Sequence, residues 1–174
     1  SHAQEALPVS WAAHPVLALE PGSVIELAEV HSVRSSWQHG ISLAPELAWP
    51  LATLEGGDEI DLSRIRGDDG WAAVLYGEPP GRVEARTPAG ARLELDWDRT
   101  FAPSLRVWQS YGGWPVDGEP REQVALEPCT SEHDDLAGAV AAGDARTLEP
   151  GGELRWWLRV RVGGEAAGPD GGAG

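Results

Sequence analysis

Two residues in this chain are of types that move protons and stand in apolar surroundings: His14 in "WAAHPVLALEPG" and Glu127 in "QVALEPCTSEHDD". Glu127 closes a run that reads as a buried strand, with Pro128 directly behind it. A desolvated carboxylate needs partners or a displaced pKa, so an acid at that point demands an explanation. A histidine and a carboxylate can work as acid and base if each comes within about 3 Å of the proton it moves. Taken singly, each also has an ordinary reading, the histidine as a satisfied loop residue and the glutamate as a solvated strand end.

Other chemistries find less support. Glu132, His133, Asp134 and Asp135 cluster at the start of a predicted helix, where acids complement the backbone dipole; no metal site is expected there or elsewhere. Cys129 is the sole cysteine, which rules out an intrachain disulfide and a cysteine metal cage and fits a reducing compartment. It has no evident basic partner that would activate it. No Gly-x-Ser-x-Gly elbow and no phosphate-cradling glycine pattern occurs, and no cofactor is expected.

The charge balance narrows the partners. A formal net charge of -15, with all 13 cations arginines scattered singly, repels nucleic acid and anionic lipid alike. No apolar run approaches the ~20 residues of a membrane helix. The expectation is a soluble, cytoplasmic protein. Nine tryptophans are many for 174 residues. Most are expected in the core, while any on an exposed sheet face would stack on the apolar faces of sugars.

These side chains have to be held by strands. Period-two alternation is clearest in "LRWWLRVRV", where Leu154, Trp156, Leu158, Val160 and Val162 are predicted to face inward and the arginines outward, and in "ARLELDW". "RVEART" precedes the latter, with "PAG" as hairpin turn. "SVIELAEV", "GWAAVLY", "SLRVWQS" and "EQVALE" add further strands between Gly/Pro-rich breaks. The reading is an all-β sandwich with one short helix in "SEHDDLAGAVAAG", capped by Thr130 or Ser131, with Asp134 in its first turn, and ended by Gly143. Residues 40–66 read as a long excursion with short irregular elements. At this length one domain, residues 1–163, buries about 70% of its extended surface, followed by a disordered Gly-rich tail, 164–174.

Taken in order, four segments resemble the aldose 1-epimerase (galactose mutarotase-like) family. "LPVSWAAHPVLALEPGSVIEL" is similar to the family's His-Pro segment, "SLRVWQSYGGWP" to its aromatic strand, "VALEPCT" to the strand ending in its glutamate, and "ARTLEPGGELRWWLRVRV" to its closing turn and strand. The resemblance implies a β-supersandwich and interconversion of the α and β anomers of a monosaccharide. It implies Glu127 as base and His14 as acid, Asp69 and Trp108 as substrate-binding residues, and neither metal nor cofactor. Val16 and Leu17 stand where many members have aromatic residues. Members are typically much longer, and their first half supplies an arginine and a second histidine to the sugar site. The chain is therefore expected to be a C-terminal portion, either truncated or completing an uncovered sheet as a homo-oligomer. The alternative is a non-catalytic carbohydrate-binding domain of the same fold. Whether His31, His39 or Trp37 lines a cleft is left open by the sequence.

Overall fold

The structure is a computed structural model that describes residues 4–78 and 82–164. The predicted tail lies outside the described residues apart from Gly164. Along the chain come β1 (Leu7–Val9), β2 (Val16–Leu17), β3 (Val24–Leu27), β4 (Ser32–His39), β5 (Glu46–Ala48), β6 (Leu51–Thr53), β7 (Glu59–Asp61), β8 (Trp71–Gly77), β9 (Val83–Arg86), β10 (Arg92–Trp97), β11 (Ser104–Trp114), β12 (Arg121–Cys129), α1 (Leu136–Ala142), β13 (Arg146–Leu148) and β14 (Leu158–Gly163).

All pairing among the described residues is antiparallel, in a six-stranded sheet of order β2-β12-β11-β8-β4-β5 and a four-stranded sheet of order β14-β10-β9-β3. Two-stranded ribbons β1-β13 and β6-β7 flank them. The fold is an all-β sandwich. Ile25, Leu27, Val83, Leu95 and Trp97 from the smaller sheet meet Leu75, Leu105, Val107, Val124 and Leu126 from the larger in one buried cluster. Each set occupies alternate positions, as the two-residue period of a strand requires. β8 is buried along both faces: Trp71, Ala73 and Leu75 enter this core, while Ala72, Val74 and Tyr76 join a second cluster with Trp108, Ala125 and Cys129. That second face carries the candidate site.

Several local expectations are corrected. α1 is capped by Asp135, whose carboxylate accepts from Gly138 N at 2.6 Å, and not by Thr130 or Ser131. Thr130 Oγ1 instead accepts from Trp11 N at 2.9 Å, and Ser131 Oγ accepts from His133 N. Gly143 ends the helix in the left-handed region at φ 80°. Pro128 does not end the pairing of β12, which runs on to Cys129 opposite Ser104.

The largest difference is at the C-terminal strand. β14 begins only at Leu158, and its inward-predicted residues are open, with Val160 50% and Val162 78% exposed. They flank Leu95 and Leu93 on the same sheet face, but β14 is an edge strand. The core residues of the opposite sheet do not reach over it.

Candidate active site

The site begins with a register. Between β2 and β12, Leu17 lies opposite Val124 and Val16 opposite Ala125, and an isolated bridge sets Ala12 opposite Cys129. Ala13 N also donates to Pro128 O at 3.0 Å. Both fragments share one register, and carrying it across the gap puts His14 directly opposite Glu127. The gap has a local cause: Pro15 and Pro128 each lack the amide that a ladder would use. His14 is thus anchored on either side yet free of strand pairing at its own position.

Continuing sideways, Glu127 pairs with Arg106 on β11, Arg106 with Tyr76 on β8, and Tyr76 with Arg34 on β4. One row across five neighbouring segments therefore reads His14, Glu127, Arg106, Tyr76, Arg34. The next row on the same face reads Val16, Ala125, Trp108, Val74, Trp37. A polar row capable of proton transfer lies beside an apolar, aromatic one. Plain alternation would send Arg34 and Trp37 to opposite faces, but a bulge between Ser35 and Trp37 restores both to this one.

The contacts follow the row. His14 Nδ1 is 2.8 Å from Glu127 Oε1, the imidazole 53% exposed and the carboxylate 2%. Arg106 Nε lies 3.6 Å from Glu127 Oε2, and its NH1 lies 3.5 Å from Asp134 Oδ1. Tyr76 OH donates to the same Asp134 oxygen at 2.9 Å. Burial, and next the hydrogen bond to Asp134, push the Tyr76 hydroxyl well above the usual phenol range, so it serves as a donor. Cys129, on the same face of β12, has its thiol pushed up to about 12 by burial and then by the neighbouring Glu127. It is no nucleophile at neutral pH.

A cleft of about 390 Å³ opens over the two rows, lined by His14, Arg106, Asp134 and Gln123 on its polar side and by Trp37, Trp108 and Trp114 on its apolar side. Trp37 and Trp108 stack at 5.7 Å with 29° between planes, and Trp114 stands edge-on to both at 5.6 and 5.9 Å. Arg106 and Asp134 also border a second hollow of about 430 Å³ beneath residues 8–12 and the start of α1. Arg106 Nε, Trp108 Nε1 and Glu127 Oε1 are buried without an aligned hydrogen bond. The His14 contact at Oε1 is therefore a close approach and not a formed hydrogen bond. Orphaned polar atoms of this kind cost about 1–3 kcal/mol each, and here three cluster around one cleft.

Of the residues singled out from sequence, His14 and Glu127 are in contact and Trp108 lines the same cleft. Asp69 does not: it sits in the loop before β8, its carboxylate engaged by Arg66 and its amide donating to Tyr111 O. Trp37 lines the cleft, whereas His31 and His39 do not. Sequence reasoning missed Arg106, which lies within a stretch read only as a strand, and it assigned Asp134 to a helix turn. It also missed Tyr76, Gln123 and Trp114. The alternation of "SLRVWQS" already puts Arg106 and Trp108 on one face, and this was the signal available. Among the described residues no group of three or more His, Cys, Asp or Glu gathers to hold a metal ion, and no helix is long and apolar enough to cross a membrane.

No family model and no curated protein matches the chain. Among solved structures it is similar to that of a "putative aldose 1-epimerase" from Klebsiella pneumoniae subsp. pneumoniae, with a TM-score of 0.65 and 15% sequence identity. The match covers 92% of this chain and 40% of that one, so the chain spans less than half the length of that protein. At this identity the likeness establishes a shared fold.

Proposed function

We propose that the cleft takes an aldose in its ring form and that Glu127 and His14 interconvert its α and β anomers. The observation that carries this reading is the 2.8 Å contact between a buried carboxylate and an exposed imidazole at the wall of a tryptophan-lined cleft. Glu127 accepts the proton of the anomeric hydroxyl. His14 donates a proton to the ring oxygen, which takes the electron pair of the breaking bond to the anomeric carbon. The open-chain carbonyl then turns about its bond to the next carbon, and the two transfers run in reverse on the other face. One group acts as base and the other as acid in the same ground state, as general acid–base catalysis needs.

The site supports each requirement of a sugar. The aromatic row offers apolar rings to the C–H face of a pyranose, while Arg106 offers donors, and Gln123 a donor and an acceptor, to its hydroxyls. An anomeric hydroxyl would take the place at Glu127 Oε1 that the imidazole now fills. His14 can yield that place because its own position carries no ladder hydrogen bond. Polarimetry on freshly dissolved aldoses tests the proposal: Glu127→Gln is expected to lose on the order of 10²-fold or more of the catalysed rate. Rates equal to wild type would remove Glu127 as the base.

A second reading is a non-catalytic carbohydrate-binding domain, favoured by the depth of Glu127, which is only 2% exposed. Calorimetric titration separates the two, since heat of sugar binding without accelerated anomerisation belongs to the binding domain alone.

A further inference from the structure

We infer that Arg106 and Asp134 are a positioning pair for Glu127, in which Arg106 holds one carboxylate oxygen and Asp134 acts only through Arg106. A carboxylate has two equivalent oxygens, and a base must present one of them in a fixed direction. Glu127 Oε2 faces the Arg106 guanidinium at 3.6 Å, leaving Oε1 for His14 and the cleft. Among the described residues His14 and Arg106 are the only basic side chains within 4 Å of that carboxylate.

Arg106 is fixed from both sides. Its backbone lies between Glu127 and Tyr76 in the ladder, so its side chain emerges in the same row as both. Its far end meets Asp134 at 3.5 Å, a residue from the connection that folds back over this face after β12. Asp134 is itself held twice: Tyr76 OH donates to it at 2.9 Å, and the next residue, Asp135, is pinned as the cap of α1. A planar guanidinium spanning two carboxylates is a task that the compact ammonium of lysine does poorly. Asp134 has no ion-pair or hydrogen-bond contact with His14 or Glu127, so any influence on them passes through Arg106.

The inference deepens the proposed function, but its main test does not require turnover. Imidazole signals of the 174-residue chain are followed by NMR, with His14 assigned by its loss in His14→Gln. Arg106→Gln is expected to move the His14 signals, and Asp134→Asn to move them in the same direction by less. Asp134→Asn added to Arg106→Gln is expected to contribute nothing more, the signature of a shared path in a double-mutant cycle. His31 and His39 stay unmoved as controls. His14 signals indifferent to Arg106→Gln, or effects of the two substitutions that add, would overturn the pair. Should Arg106→Gln fail to fold, as judged by circular dichroism, Arg106→Lys takes its place in the cycle.

In polarimetry Asp134→Asn is expected to lower kcat on the order of 10-fold, as misplacement of a reacting group does, with KM little changed. Arg106→Lys is expected to retain more activity than Arg106→Gln. Coupled His14 signals in a wild type that turns over no aldose would sink the anomer-exchange reading and leave the pair standing; uncoupled signals in an active wild type would do the reverse.

Discussion

Glu127 and Cys129 lie two residues apart on one face of one strand, and the same burial serves them differently. The carboxylate has an imidazole at one oxygen and a guanidinium at the other, whereas for the thiol burial and then the neighbouring Glu127 outweigh the charge of Arg106, and it rises to about 12. The thiolate, and not the thiol, is the reactive species. The native protein is therefore expected to resist alkylation at pH 8 and to be modified only as fast as it opens. Mass spectrometry after iodoacetamide treatment, with and without denaturant, checks this; rapid labelling of the native chain would contradict the burial of Cys129.

At the scale of elements, backbone approach decides what the cleft wall tolerates. A methyl group on Gly113, late in β11, would sit 2.2 Å from the Trp71 carbonyl carbon and 2.4 Å from the Ala72 nitrogen. Both are backbone atoms of the neighbouring strand and cannot turn aside. Gly113→Ala is expected to destabilise the fold by about 3 kcal/mol or more, as overpacking of a rigid contact does, and to displace the adjacent Trp114 from the cleft. Gly90→Ala, in the β9–β10 turn at φ 86° with open space around it, is expected to lose only about 1–2 kcal/mol from the left-handed backbone. Denaturant titration of the two variants checks the order.

The smaller sheet carries its own charge problem on its outer face. Glu26, Glu84 and Glu94 stand opposite one another in one cross-strand row, an arrangement that repels. Arg86 and Arg92 contact Glu84, and Arg82 approaches it at 3.7 Å. Burial pushes the Glu84 carboxyl up, but the hydrogen bond and charge of Arg86, followed by Arg92 and Arg82, outweigh it and hold the group below the usual carboxylate range. A carboxyl depressed in the folded state stabilises above its unfolded pKa, and that contribution disappears as pH falls through the folded value. Glu84→Gln is thus expected to melt below wild type at pH 7, with the gap in Tm narrowing as the solution is acidified. A gap independent of pH would contradict this account.

For the molecule as a whole, the exposed apolar edge and the net charge oppose each other. Leu158, Val160 and Val162 leave an open apolar strip along the last strand, whose outer edge has no strand partner among the described residues. A formal charge of -15 keeps copies apart at low ionic strength. The chain is expected to associate increasingly as salt is raised, and Val160→Lys to weaken that association. Sedimentation velocity at two salt concentrations checks it, and a monomer under all conditions would show that the strip is not adhesive.

How far all this could be read beforehand depends on whether a feature is local. β10, β11 and β12 were legible because alternation expresses the steric geometry of the strand itself, and Gly143 because a left-handed helix end favours glycine. β4 was missed because its bulge breaks the alternation that would have announced it, and the cap of α1 because Thr130, Ser131 and Asp135 are all chemically able to cap. For β14 alternation gave the right faces and the wrong burial, since pattern reports which residues share a side and not what lies over them.

Residue types determined that this chain would be an acidic, strand-built sandwich containing a histidine and a glutamate fit to exchange protons. Only tertiary structure decided that His14 stands across from Glu127, that Arg106 joins the row and Asp134 reaches it from the connection after β12, and that Asp69 lies outside the cleft. Pairing between segments remote along the chain is settled by the collective fit of two hydrophobic faces and the ladders between them. No single stretch contains that information.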